Sequence, residues 1–167
     1  MDLTNLPPLI YTEDAQEFGG GALTYKQLSA ASSAIRRRAG WHIAPNMPQV
    51  LTLDHDGSTV VRLPSLHVTD VALVEDMTGR EPRAITDYRW SSAGMLEGRF
   101  PSGFRSLRVT FTHGYAACPD DLARLVVSRT QRRAMQESVG GVSVTYGVEG
   151  DRAVEESLHA YILGPRA

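Results

Sequence analysis

From Gln49, through the central third of the chain, the apolar residues stop recurring every three or four positions and recur every two, whereas on both sides of that stretch the period is helical. A helix buries a stripe and a strand buries alternate residues, so the period decides which element a segment can become. A chain ordered this way carries strands inside the connection between two helices. The expectation is an α+β fold: a helical core of two long helices plus shorter ones, an inserted small antiparallel β subdomain, and a C-terminal extended arm.

The first long helix is framed at both ends. Thr24 and Gln27 have the spacing of a capping box, in which each side chain satisfies a backbone donor at the other's position. Tyr25, Leu28, Ala31 or Ser32, Ile35 and Ala39 follow on one face, with Lys26, Arg36 and Arg37 mostly away from it. Gly40 supplies a left-handed stop, and Trp41 is placed to pack back, so the helix is expected over Thr24 to Ala39. Ahead of it, Pro7-Pro8 marks an extended lead-in. Thr12 is the expected cap of a short helix through Glu13, Asp14 and Phe18, and Gly19-Gly20-Gly21 reads as a flexible break after it. The second long helix opens at Pro119 with Asp120 and Asp121 at its positive end. Leu122, Leu125, Val126 and Ala134 form its stripe, Arg124, Arg129, Arg132 and Arg133 surround it, and Gly140-Gly141 ends it.

In the central stretch Leu51 and Leu53 alternate with Val50 and Thr52, His55-Asp56-Gly57-Ser58 makes a turn, and Val61 and Leu63 alternate again; this predicts a hairpin. Val68 to Val74, a weaker segment from Ile85 to Trp90, a short piece near Met95, and Leu107, Val109 and Phe111 add further strands. Beyond the second helix, Val142, Ser143, Val144, Thr145 and Tyr146 read as a strand without a neighbour, and 151–162 as a short amphipathic helix through Val154, Leu158 and Ile162. The expected divisions are 1–23 (lead-in and short helix), 24–48 (first long helix and linker), 49–116 (β subdomain), 119–139 (second long helix) and 140–167 (arm and tail).

No catalytic pattern emerges from the residues. The glycine triplet lacks the Gly-Lys-Ser/Thr that holds nucleotide phosphates, and Gly141-Val142-Ser143-Val144-Thr145 fails the nucleophile elbow at its last position. Ser65, His67 and Asp70 offer the residue types of a hydrolytic triad, but alternate strand residues face opposite sides. His42, His55, His67, His113 and His159 are scattered without a metal-binding spacing, and Cys118 is the single cysteine, so no cofactor or metal is expected. A net charge of −2 argues against a surface devoted wholly to phosphate. Arg36, Arg37 and Arg38 with Arg129, Arg132 and Arg133 nevertheless keep a second reading open, a small DNA-binding module. With no basic-then-apolar leader and no long apolar run, the sequence reads as soluble, made in the cytoplasm and without a membrane partner.

Four stretches resemble the head-tail connector, or head-to-tail adaptor, proteins of siphophages, particularly those infecting actinobacteria. They are Ala34-Ile35-Arg36-Arg37-Arg38-Ala39-Gly40-Trp41-His42-Ile43-Ala44-Pro45; Leu63-Pro64-Ser65-Leu66-His67-Val68-Thr69-Asp70; Arg105-Ser106-Leu107-Arg108-Val109-Thr110-Phe111-Thr112-His113-Gly114-Tyr115; and Val142-Ser143-Val144-Thr145-Tyr146-Gly147. The resemblance covers Thr24 to Gly147. It implies a virion structural protein without enzymatic activity or cofactor, assembled as a dodecameric ring at the head-tail interface. The implied partners are copies of itself, the portal protein, a tail-proximal connector (stopper) and genomic DNA passing without sequence-specific binding. Within the ring that the resemblance implies, the residues suited to a subunit or portal interface are Val142, Ser143, Val144, Thr145 and Tyr146 by strand pairing, and Arg129, Arg132 and Arg133 with Glu155 and Glu156 by charge.

Overall fold

The computed structural model describes residues 6–138 and 156–164, with side chains excluded from 132 to 138. It contains two compact units, one from Met1–Pro45 with Ala117–Leu163 and one built on Asn46–Ala116. Helices and antiparallel sheets make an α+β fold.

The first unit holds α1 (Thr12–Glu17), α2 (Tyr25–Ala39) and α3 (Asp120–Ser138), with one further helical turn at 156–159. Tyr11, not Thr12, occupies the cap of α1. The Tyr11 carbonyl takes the first helical bond from the Ala15 N–H at 3.0 Å, and the Asp14 carboxylate reaches back to the Tyr11 N–H, so no hydroxyl is needed there. The glycine triplet is also more specific than a loose break. Gly20 N–H bonds the Ala15 carbonyl at 2.8 Å, Gly19 N–H bonds Gln16 at 3.1 Å, and Gly19 sits at φ +76°, which is the Schellman arrangement. A Cβ on Gly20 would meet the Ala15 oxygen at 2.6 Å, so that position is closed to other residues.

Helix α2 has the capping box read from its sequence. Thr24 N–H donates to Gln27 Oε1 at 2.9 Å, and Gly40 ends the helix at φ +82° with its N–H on the Arg36 carbonyl. Leu28, Ser32, Ile35 and Ala39 of α2 are buried, as are Leu122, Ala123, Leu125, Val126 and Val127 of α3, and the two helices pack together within this unit. Leu9 and Ile10 dock on this core, the Leu9 N–H donating to the buried Ser32 hydroxyl at 2.9 Å. Trp41 is buried and its indole N–H bonds the Tyr161 carbonyl at 2.7 Å, while Leu163 N–H bonds Ala39. The chain after residue 155 therefore contributes to this core through Leu158. Val154 and Ala134 lie outside the described side chains.

The second unit has seven strands: β1 (Met47–His55), β2 (Val60–Arg62), β3 (Val68–Asp76), β4 (Arg83–Ala84), β5 (Tyr88–Trp90), β6 (Met95–Gly98) and β7 (Gly103–His113). They form one sheet in the order β1-β7-β3-β4 and another in the order β2-β6-β5, every pairing antiparallel. The hairpin expected from Leu51 to Leu63 does not exist. β1 pairs with β7 and β2 pairs with β6, so His55 to Thr59 is a corner between sheets. Alternation tells a segment to be a strand but not which strand to join, and the eleven-residue β7 covers the nine of β1 along nearly its whole length, whereas β2 has three.

Val68, Val71, Val74, Leu107, Val109 and Phe111 of the larger sheet form one buried cluster with Val61, Leu63, Leu96 and Phe100. Directly opposed residues share a face, so the pairings define rows across the larger sheet. Leu51, Val109 and Val74 form one row of the buried face; Thr52, Arg108, Glu75 and Ala84 form a row of the outer face that crosses all four strands.

Candidate assembly interface

Among the described residues the candidate triad is not brought together. The Ser65 hydroxyl is buried and accepts the backbone N–H of His67 at 3.1 Å, closing a turn. The His67 ring instead stacks on Tyr115, with centroids 4.2 Å apart and planes 10° apart, and Asp70 is exposed. His42 bonds the Pro45 carbonyl through Nε2 at 2.8 Å, and His113 is buried against Phe111. Among the described residues no three His, Cys, Asp or Glu side chains are grouped as metal ligands, and no described helix is long and apolar enough to cross a membrane.

Arg36 does not point away from the apolar face, contrary to the sequence reading. It is fully buried. Ser32, Ile35, Arg36 and Ala39 all lie on the arc of α2 that the core covers, and a charged residue survives there because its guanidinium is spent on carbonyls. Nε donates to His42 at 2.8 Å, one terminal nitrogen to Pro7 at 2.7 Å and the other to Ala44 at 2.6 Å. Between two of those acceptors stands Ile43 at φ +67°, with Ala44 N–H bonded to the His42 carbonyl at 2.8 Å, a γ-turn of the strained hand. Burial pulls the guanidinium down to about 10, so it remains charged at neutral pH. Burial likewise pushes the Cys118 thiol up to about 12, helped by Asp121, which keeps it protonated at neutral pH. Arg37 and Arg38 are exposed.

Of the interface residues read from sequence, Arg129 is half-buried on α3 and Glu156 is exposed at the start of the 156–159 turn. Arg132 and Arg133 lie outside the described side chains. Val142, Ser143, Val144, Thr145, Tyr146 and Glu155 lie outside the described residues.

A different surface, missed by sequence reasoning, is built on the larger sheet. Its outer face carries the row Val50, Thr110, Leu73, with Val50 61% and Leu73 38% exposed. Beside it Arg108 grips Glu75 through two bonds of 2.6 and 2.7 Å, which holds the Glu75 carboxyl below the usual range. At the end of β1 the pairing with β7 slips between Leu53 and His55. Arg105 there takes φ +49°, its N–H donates to the Asp54 carboxylate at 2.7 Å, and Phe104 beside it is 83% exposed. The available signal was doubled apolar pairs, Val50-Leu51 and Leu73-Val74, which put apolar side chains on both faces of a strand.

No protein-family model and no curated protein matches the chain. Among solved structures, it resembles a chain in the neck of an empty gene transfer agent (GTA) particle computed with C6 symmetry. The TM-score is 0.59 at 20% identity, covering 99% of this chain and 93% of that one. A chain in the neck of the native GTA particle computed with C12 symmetry gives 0.60 at 20% identity, covering 92% and 90%. A chain of the native GTA virion gives 0.56 at 19% identity, covering 100% and 94%. At these identities the likeness is one of fold, and it extends over nearly the whole of each chain.

Proposed function

We propose that this chain is a structural subunit of the neck of a tailed phage or phage-like particle: a head-tail connector that forms a dodecameric ring on the portal. The ring extends the DNA channel and presents the surface to which the tail, or a following stopper ring, attaches. The observation that carries this reading is the full-length likeness to chains of a particle neck, one of them in a C12 arrangement. The four sequence stretches that resemble siphophage adaptors support it independently. In this role the protein acts by surfaces alone, in the virion, with no catalytic side chain or cofactor.

A ring subunit needs two different patches that fit one another, because a heterologous contact repeated by rotation closes on itself. Residues 142–146, with the acidic Glu155 and Glu156 and the basic Arg129, Arg132 and Arg133, are proposed as an arm that grips a neighbouring copy or the portal. Because Leu158 is buried in the first unit's core and the Tyr161 carbonyl accepts the Trp41 indole N–H, a test of the arm must keep them. Replacing 142–146 by glycine and serine is the suitable change, with binding to purified portal rings as the readout. The DNA-binding reading loses Arg36, whose donors are committed to carbonyls.

The decisive experiment is a nonsense mutation in this gene in the producing phage. DNA-filled or leaking heads without tails are expected; intact tailed particles lacking the chain would overturn the proposal.

A further inference from the structure

We propose, on the basis of that ring reading, that the subunit contact includes the larger sheet of the second unit, β1 of one copy pairing antiparallel with β4 of the next. The sheet order β1-β7-β3-β4 makes β1 and β4 its two edges, and no described strand covers the outer side of either. An uncovered edge is a row of unpaired backbone donors and acceptors, which proteins guard with charge, proline or a bulge unless a partner covers it. From Met47 to Leu53 β1 has one guard, Pro48, at its start and no charged side chain.

The apolar core opens toward the same two flanks. Its partly buried members are Leu51 and Leu53 on β1, Ile85 directly after β4, and Tyr88 at the start of β5 in the smaller sheet. A neighbour docked edge to edge would bring Leu51 and Leu53 of one copy beside Ile85 of the other and finish burying both. Direction agrees as well. Four strands in strict antiparallel alternation leave β1 and β4 running oppositely, so a rotated copy that keeps its orientation presents β1 antiparallel to β4. An odd number of strands would have presented it parallel.

Charge complements this sense. In antiparallel pairing the C-terminal end of β1, with exposed Asp54 in it and exposed Asp56 just beyond, lies beside the N-terminal end of β4, which begins at exposed Arg83 and is preceded by exposed Arg80. The outer-face row adds a register constraint. Thr52 and Ala84 are its two ends, so they share a face, as do Val50 and Ala84 at a shift of two.

The test is disulfide trapping in assembled particles. In a Cys118→Ser background, Thr52→Cys is combined with Ala84→Cys, and as a second pair Val50→Cys with Ala84→Cys. Mild oxidation is expected to give a ladder of covalent multimers from at least one pair, and no multimers from any single-cysteine variant. Dimers from Thr52→Cys or Val50→Cys alone would show two-fold β1-to-β1 pairing and overturn the head-to-tail contact. Particles that carry the chain in a ring yet yield no ladder from either pair would overturn this contact and leave the connector reading standing. Absence of the wild-type chain from particles would remove both.

Discussion

Arg36 locks the turn at Ile43 from both sides, donating to the carbonyl of His42 before it and of Ala44 after it. A β-branched residue at φ +67° is strained by about 1–3 kcal/mol, and such a conformation persists only where surrounding bonds over-determine it. The guanidinium supplies those bonds, and it ties the lead-in to the same point through Pro7.

Arg36→Met should therefore cost on the order of 3 kcal/mol or more, since it removes the guanidinium donor from the Pro7 and Ala44 carbonyls and leaves the His42 carbonyl only the Ala44 N–H. Arg36→Lys keeps the charge but not the planar fork, and should lose about half as much. Urea unfolding followed by helical circular dichroism, which reports the first unit, measures both.

The Glu75 and Arg108 pair predicts an acid limb to the stability of the second unit. The hydrogen bonds from Arg108 hold the folded Glu75 carboxyl below the unfolded value of about 4.3, so the unfolded chain takes up its proton first as pH falls. Stability from this pair is thus complete above that value and is lost as pH drops through the lower folded one. Asp56, bonded by the Ser58 N–H, and Asp76, bonded by Thr78, act in the same direction. Comparing urea midpoints at pH 7 and pH 3, the drop should be smaller in Glu75→Gln than in the wild type; an equal drop would show that the pair is not coupled to folding.

Two glycines should respond in opposite ways to alanine. Gly94 sits at φ +81°, where an added Cβ would overlap the Ser65 carbonyl oxygen, so Gly94→Ala should destabilise by about 2 kcal/mol or more. Gly21 has an unstrained backbone and open space around it, so Gly21→Ala should be neutral or stabilising by up to about 1 kcal/mol. Thermal midpoints of the two variants, measured side by side, check the contrast.

Thr24→Ala should cost about 1 kcal/mol through loss of the α2 cap, because the Gln27 N–H at 3.4 Å then has no side-chain acceptor. Thr24→Ser should restore most of it. Hydrogen exchange at the first turn of α2 would read the effect where it arises.

Gly40 was legible as the end of α2 because a left-handed stop depends on the residue itself, and Thr24 with Gln27 was legible because a capping box spans four positions. Arg36 was not legible: its charge argued for solvent, and only the folded chain places Pro7, His42 and Ala44 around it. The wrong partner for β1 has a related cause. The turn residues at 55–58 lie between two alternating segments and suit a hairpin, but the choice between β2 and β7 is made by partners far apart in the chain, from His55 with Gly103 to Met47 with His113.

By itself, then, the sequence determined the kinds of element, their caps and their order, since period and capping are encoded within a few neighbouring residues. Tertiary structure alone decided which strands became edges, which arginine went inside and where apolar side chains were left uncovered. Those outcomes depend on long-range pairings whose energies compete across the whole domain, and no window of local sequence contains them.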